Sequence, residues 1–391
     1  MRTYEETHSW ITFQINLKGA TPNLWMLLGE AASKCEHIAG VPLQPAVAEK
    51  LHRLYLAKGV LATTAIEGNS LSEEEVLKHL EGKLKLPQSK EYLAQEIDNI
   101  IGVCNMIAEQ LKSGNSNLMP DRIREFNKKV LEKLTPGEDV VPGEFRKHPV
   151  VVGNIYRGAP AEDCEFLITQ LCKWLSGPDF NAPKGMETVY AIIKAIVAHI
   201  YIAWIHPFGD GNGRSARLIE FQILLSAGIP TPAAHLLSNH YNQTRTEYYR
   251  QLNQASKSKG DIIPFLEYAT RGMVDGLHEQ LEQIRNQQWD VAWQNYVHEL
   301  FQDKTGDSNR RRRYLILDLS AKPDSVQISS IREFTPRLVK AYINKTSKTL
   351  QRDLRELEKM ELIERTRTTV RARKEIILAF LPWRKSDEKE K

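Results

Sequence analysis

Cysteine is scarce in this 391-residue chain: Cys35, Cys104, Cys164 and Cys172 are the only four, and no two form a CxxC pair. That excludes a disulfide-framed secreted scaffold and makes a structural zinc site a poor expectation. No uninterrupted apolar run reaches the roughly 18 residues of a membrane span. The most apolar stretch, 191–205, is broken by Lys194 and His199. The N-terminus, MRTYEETHSW, lacks the apolar h-region of a signal peptide. No repeat recurs at a solenoid period, and the only biased tract is a short arginine run. What is present is ordinary: 41% hydrophobic and 26% charged residues, a globular balance that excludes wholesale disorder. The expectation is a cytoplasmic protein of a reducing compartment, with no membrane partner and two or three domains.

The formal net charge of +4 conceals an asymmetry. Residues 306–391 hold 22 Lys and Arg against 13 Asp and Glu, whereas residues 1–305 hold 31 against 36. A mildly acidic body carries a basic C-terminal segment. Two readings stand for such a segment: a nucleic-acid surface, or a solvated basic face.

Apolar residues recur at helical spacing over 24–35, 45–66, 73–82, 90–112, 120–134, 163–175, 188–205, 214–227, 246–256 and 261–302. The fold class expected is mostly α. Between 136 and 161, Pro and Gly punctuate the chain around the β-branched run Val150, Val151, Val152, which predicts a short hairpin inserted between helices. After Phe301 the polar stretch QDKTGDSNRRRR marks a boundary. Beyond it the pattern reads helix, short helix, helix, then two strands. Thr346 opens an amphipathic helix with Leu350, Leu354 and Leu357 on one face, and strands are expected at 362–363 and 371–378.

The segment that carries chemistry is IHPFGDGNGRSAR, 205–217. Pro207 ends the helix before it, because its ring cannot continue the ladder, so His206 is presented at a helix end. Gly211 and Gly213 let backbone N–H groups approach a ligand closely, and the next helix aims its positive end at the same place. Arg214 and Arg217, three apart, project from one face of its first turn. Asp210 is a hard oxygen ligand of the kind Mg²⁺ takes. No Gly-Lys-Ser/Thr follows, so this is not a P-loop, and no strand precedes it, so it is not a dinucleotide fingerprint. The parts make a polyphosphate site beside a general base. An imidazole titrates near 6.5, close to what deprotonating a hydroxyl at neutral pH requires.

This segment resembles the Fic family motif, HPFx[D/E]GNGRxxR, at every fixed position. The resemblance implies a Fic-type helical core and transfer of AMP from ATP to a Ser, Thr or Tyr hydroxyl of a target protein, with self-modification expected. It implies His206 as the base, Asp210 as the Mg²⁺ ligand, and Phe208 as the loop's core anchor. Gly211, Asn212 and Gly213 would hold the α- and β-phosphates and Arg214 and Arg217 the β- and γ-phosphates, with Ser215 and Ala216 in the same ATP-contacting run. Upstream, Thr63-Thr64-Ala65-Ile66-Glu67-Gly68 reads locally as a helix end, and Ser72 to Glu75 as a capping box for the next helix. A carboxylate at a helix C-terminus wants a cationic partner. The segment resembles the family's inhibitory motif, [S/T]xxxE[G/N], in the class whose inhibitory helix lies N-terminal. That implies a Glu67–Arg217 pair which disturbs γ-phosphate binding. The stretch from Gly143 to Ile155 resembles the family's flap, so Val150, Val151, Val152 and Gly153 are expected to dock the target by strand addition. Tyr248 and Tyr249, with Asn253 nearby, resemble the tyrosine pair at the adenine pocket.

Residues 310–381 resemble a winged helix-turn-helix. Its recognition helix would present Lys348, Arg352 and Arg355, and its wing Arg365, Arg367, Arg371 and Arg373. Duplex DNA or a protein are both open as its partner, and a homodimer is among the expected assemblies. The expected organisation is an N-terminal helical region over 1–100 with the inhibitory helix, a Fic core with connecting helix over 101–305, and a winged helix over 306–391. Two rivals stand beside the adenylyltransferase: a Fic enzyme that removes AMP or uses another phosphate donor, and a DNA-binding regulator whose Fic core senses nucleotide.

Overall fold

The computed structural model describes residues 2–114, 117–152, 156–322 and 324–378. The chain divides into two compact units, 1–282 and 283–391. In chain order, the elements of the first unit are α1 (Thr3–Thr7), α2 (Pro22–Gly40), α3 (Pro45–Ala65), α4 (Glu73–Leu80), α5 (Glu91–Lys112), α6 (Pro120–Val130), β1 (Val151–Val152), β2 (Tyr156–Arg157), α7 (Cys164–Leu175), α8 (Glu187–Ile205), α9 (Asn212–Ser226), α10 (Thr231–Ala234), α11 (Leu236–Gln243) and α12 (Arg245–Lys257). Helix α13 (Ile263–Leu300) runs through the division. The second unit adds α14 (Asp307–Ser320), β3 (Val326–Gln327), α15 (Pro336–Tyr342), α16 (Ser347–Lys359), β4 (Ile363–Arg365) and β5 (Thr369–Ala372).

The centre of the first unit is the α8–α9 pair, joined by residues 206–211. Helix α8 is apolar on every side, which is the signature of a helix surrounded by others; Ile192, Ile196, Ile200, Ile202 and Ile205 are all fully buried. Helices α2 and α7 cover α8, while α3, α5 and α6 cover α9. By length and composition α8 could cross a membrane, because hydropathy averaged along the helix outweighs Lys194 and His199. Here it is the core helix.

Local chemistry sets the helix ends. Thr21 accepts from the Leu24 N–H and Pro22 opens α2, a position where a missing N–H costs nothing. Ser72 and Glu75 form the reciprocal capping box at α4. Gly68 follows the end of α3 at φ +110°, a conformation that disfavours side chains. Helix α9 starts at Asn212, two residues before the start read from its apolar pattern, because Gly211 at φ +76° turns the chain into it. The short helices α10 and α11 have no counterpart in the sequence reading.

Strands β1 and β2 form an antiparallel hairpin, with Val151 opposite Arg157 and Val152 opposite Tyr156. Gly153 lies outside the described residues.

In the second unit α14, α15 and α16 pack around a separate core that includes Trp293, Leu315, Tyr342, Leu354 and Leu357. Its sheet has the order β3-β5-β4, all antiparallel. Helix α16 begins after Thr346 and buries Leu350, Leu354 and Leu357, as its pattern predicts. The last strand is a correction: it spans Thr369–Ala372, not 371–378, and residues 374–377 form a 3₁₀ turn. The run RARKEIIL alternates like a strand, but β5 is already paired on both edges from Thr369.

Candidate active site

The loop between α8 and α9 is built around an unusual backbone. His206 caps α8 in the left-handed region, at φ 50° and ψ 58°. A non-glycine residue there costs on the order of 1–3 kcal/mol and persists only when its surroundings fix it. Arg146 is what fixes it. This arginine is buried and its guanidinium donates to four carbonyls: His206 at 2.7 Å, His148 at 2.8 Å, Ile205 at 3.3 Å, and Ala159. Its own N–H donates to Pro207 O at 2.9 Å. Arg146 therefore closes the C-terminus of α8, where a cation is favoured. It also ties that helix end to both sides of the hairpin. A methyl group at Gly158 would sit 2.9 Å from His206 Cβ and 3.0 Å from Arg146 Nη2, so only glycine fits beside them.

Burial pushes the His206 imidazole down to about 4, and the Arg146 charge adds to the effect; a backbone hydrogen bond at Ala203, with Glu67 and Asp210, opposes it. At neutral pH the ring is unprotonated. One nitrogen is held by the Ala203 backbone, which leaves the other as an acceptor.

Helix α9 has no side-chain N-cap, so the first N–H groups, at Asn212, Gly213 and Arg214, are open to an anion. The Asn212 side chain is not: Oδ1 accepts from Phe208 N at 2.9 Å and Nδ2 donates to Phe208 O at 2.8 Å. Asn212 thus staples the loop and offers a phosphate only its backbone. The Ser215 N–H is spent on Gly211 O and its side chain is fully buried, away from the cavity lining.

The two arginines part company. Arg214 points away from the cavity and bridges Glu96 at 3.2 Å and Asp210 at 3.0 Å. Glu96 in turn accepts from Asn69 Nδ2 at 2.8 Å. Arg217 lines the cavity, buried, with Nη2 donating to Glu67 Oε1 at 2.6 Å and to Thr63 O at 2.9 Å. Its Nε and Nη1 have no partner among the described residues. Burial works against the Glu67 carboxylate, but Arg217, by charge and hydrogen bond, with Arg214 and His206, holds its pKa below the ordinary value. A methyl group at Gly213 would fall 2.1 Å from Glu67 Oε1. The absent side chain of Gly213, in the first turn of α9, thus leaves the space in which Glu67 sits.

The cavity measures about 370 Å³, within the range of small-molecule sites. Glu67, His206, Gly213, Ala216 and Arg217 form one side, and Tyr248, Tyr249 and Asn253 also line it. Tyr248 is buried, stacked on Tyr241 at 4.8 Å, with its hydroxyl 2.8 Å from His199 Nε2. His199 Nδ1 lies 3.1 Å from Glu220 Oε2, and Glu220 Oε1 accepts from the Tyr241 hydroxyl at 2.9 Å. Tyr249 is 39% exposed with Arg245 over its ring. From the hairpin, Val152 and Tyr156 reach the cavity, while Val151 is exposed on the other face. Val150 accepts the Gly158 N–H and makes no part of the lining.

Among the described residues no three His, Cys, Asp or Glu side chains cluster as a metal cage. Asp210 stands as a single carboxylate, 47% exposed, with Oδ1 taken by Arg214 and Gly211 N and, among the described residues, no hydrogen bond to Oδ2. That donor set fits Mg²⁺, which binds through one or two carboxylates plus substrate phosphates and water.

Arg146, Glu96, Asn69, His199 and Glu220 were not singled out from sequence. Two carried a signal: Arg146 falls in the hairpin stretch, and His199 interrupts the apolar run 191–205.

Comparison with known proteins agrees with this geometry. Residues 117–224 match the model of the Fic/DOC family. The chain is 31% identical over 209 residues to "Protein adenylyltransferase Fic" of Nematostella vectensis, covering 54% of this chain and 45% of that protein. It is 29% identical over 223 residues to "Protein adenylyltransferase fic-1" of Caenorhabditis elegans, covering 54% and 38%. The chain therefore spans less than half the length of these relatives. Among solved structures, a Fic family protein from Desulfovibrio desulfuricans G20 superposes with TM-score 0.56 at 21% identity, over 90% of this chain and 96% of that one. Fic-1 of C. elegans, residues 134–508, gives 0.55 at 24%, over 67% and 73%. The chain has a mostly helical Fic fold, within which residues 117–224 match the Fic/DOC family.

Proposed function

We propose that this chain is a protein adenylyltransferase held in check by its own Glu67. The observation that carries the proposal is one cavity that joins a neutral His206, the open N-terminus of α9, and an Arg217 whose Nη2 is shared by Glu67 and Thr63 O while Nε and Nη1 have no partner among the described residues. The unmet donors suit a phosphate, and the electropositive N-terminal turn of α9 suits the rest of a polyphosphate. The adenine would lie against Tyr248 and Tyr249.

In the proposed step a target hydroxyl attacks the α-phosphorus of ATP while His206 takes its proton. The bond to the β-phosphate bridging oxygen breaks, giving an AMP ester and pyrophosphate. Mg²⁺, held by Asp210 and the phosphates, would supply charge neutralisation. Arg146 keeps His206 aimed, and Asn212 keeps the loop closed behind it. The exposed β1 edge would align the target backbone. Glu67 opposes all this by occupying Nη2 of Arg217.

The test uses ATP labelled at either the α- or the γ-phosphate, with the wild type and Glu67→Gly. Label from the α position on protein, increased in Glu67→Gly, supports adenylylation. Label from γ alone would mean phosphoryl transfer. Release of AMP from modified protein without incorporation would mean the reverse reaction. Neither label moving in either form would leave a nucleotide sensor.

A further inference from the structure

Helix α16 separates its charges by sign. Its acids are all engaged: Asp353 turns inward and is fully buried, Glu356 pairs with Lys359 at 3.1 Å, and Glu358 pairs with Arg365 at 3.3 Å. Its outward cations are not. Lys348, Arg352 and Arg355 are exposed and none forms an ion pair among the described residues. Their spacing, i, i+4 and i+7, puts them along one face over about 10 Å of helix. The apolar face opposite is fixed by Leu350, Leu354 and Leu357 in the core, so the helix cannot roll the cations away. Beyond α16 the turn between β4 and β5 exposes Arg367, flanked by Thr366 and Thr368. The other cations of that hairpin differ: Arg371 is neutralised by Glu364 and Glu375, and Arg365 by Glu358.

We propose that the face of α16 carrying Lys348, Arg352 and Arg355 docks on duplex DNA, with Arg367 of the β4–β5 turn contacting the adjacent backbone. A row of unpaired cations on an exposed helix complements a duplex whose phosphates carry one charge per about 1.7 Å of axis. The B-form major groove admits a helix, whereas the deep, narrow groove of A-form RNA does not. A protein partner would instead need an acidic surface, and it would not discriminate between duplex forms.

The experiment is fluorescence anisotropy of the full chain with a short labelled mixed-sequence DNA duplex, titrated across a salt series. Binding should weaken linearly in log–log form with salt. Each of Lys348→Gln, Arg352→Gln and Arg355→Gln should reduce the slope by about one, and the triple variant should abolish binding. Lys322→Gln, an exposed cation of the same unit that belongs to neither α16 nor the β4–β5 turn, should bind like wild type. Coincident thermal unfolding of wild type and triple variant establishes that the loss is not misfolding. No duplex binding by the wild type, full binding by the folded triple variant, or tighter binding to duplex RNA than to DNA would each overturn the proposal. None of these readouts depends on AMP transfer.

Discussion

Two buried acid–arginine clusters, one in each unit, look alike in a list of ion pairs and differ in what they leave undone. In the second unit Asp353 is fully buried and saturated: Arg311 Nε at 2.7 Å, Arg312 Nε at 3.0 Å and the Tyr342 hydroxyl at 3.1 Å all donate to it. It lines no cavity. In the first unit Arg217 is as deeply buried, at 1% side-chain exposure, but its acid is 33% exposed, and among the described residues Arg217 Nε and Nη1 have no partner. Arg217 also lines a cavity. Full satisfaction is what a structural cluster needs, because an unpaired buried charge is expensive. Unmet donors beside a cavity are tolerated where a ligand completes them.

The sharpest way to break that contrast is to remove each acid. Asp353→Ala leaves two arginines and a tyrosine without their acceptor and no ligand to replace it. It should destabilise the second unit by about 3–5 kcal/mol, the usual cost of breaking a buried pair. Mg-ATP should not change that loss. Thermal unfolding with and without Mg-ATP measures both; a deficit that nucleotide repairs would erase the distinction between the clusters.

Next come the groups that hold the reacting geometry. His206→Ala should cut AMP transfer by roughly 10²–10⁴-fold, the usual worth of a positioned base, while ATP still binds through α9 and Arg217. Arg146→Lys keeps a charge but cannot serve four carbonyls, because an ammonium lacks the planar fork. It should lower transfer on the order of 10²-fold through misplacement of His206, with ATP affinity little changed. Calorimetric ATP binding alongside labelled transfer separates positioning from binding; equal losses in both would make Arg146 a mere folding residue.

These residues also mark what sequence could and could not reveal. The 206–217 segment was legible because its parts are contiguous: a proline stop, two glycines, and arginines one turn apart. Glu67 was legible as a helix-end carboxylate in want of a cation, although its partner lies 150 positions on. Arg146 was not legible as a keystone, since its partners are carbonyls from residues 148, 159, 205 and 206, and carbonyls carry no sequence signal. His199 and Glu220 face each other from α8 and α9, and each alone reads as a polar interruption in an apolar helix. Asp353 is one of three acids on α16, and its place on the same face as Leu350 and Leu357 turns it inward.

A smaller effect is expected at Glu67. Glu67→Gly removes one partner of a pair that is partly exposed, so the cost to the free protein should be below the 3–5 kcal/mol of a fully buried pair. Unlike Arg311, the freed Arg217 has a new partner available in the γ-phosphate. ATP should bind more tightly, restore stability and support severalfold faster transfer. Glu67→Gly with Arg217→Ala should lose the gain. An unchanged transfer rate in Glu67→Gly would remove Glu67 from regulation and leave the catalytic loop untouched.

The smallest effect expected is that of pH on activity between about 5 and 8. His206 titrates at about 4 in the folded chain, so it stays unprotonated across that window. The Glu67 pKa is held below its ordinary 4.5, so acidification to pH 5 does not release Arg217. Transfer by Glu67→Gly should therefore be nearly flat, and the wild type should stay inhibited throughout. Stability behaves differently, and its sign follows from the same shifts. An unfolded chain binds a proton at His206 near 6.5, whereas the folded chain resists until about 4. The folded state is thus favoured fully above 6.5 and loses up to about 1.4 kcal/mol per pH unit below it from this group. The Glu67 contribution is present above 4.5 and fades only as pH falls through its lower folded value. Burial lowers His8, His235 and His240 as well, so the His206 share is the difference between wild type and His206→Ala in thermal stability across pH 4–7. That difference should shift progressively toward the alanine variant below pH 6.5. A step in Glu67→Gly transfer centred near 6.5 would show that His206 is solvated and ordinary, and would undo the assignment of a buried, neutral base.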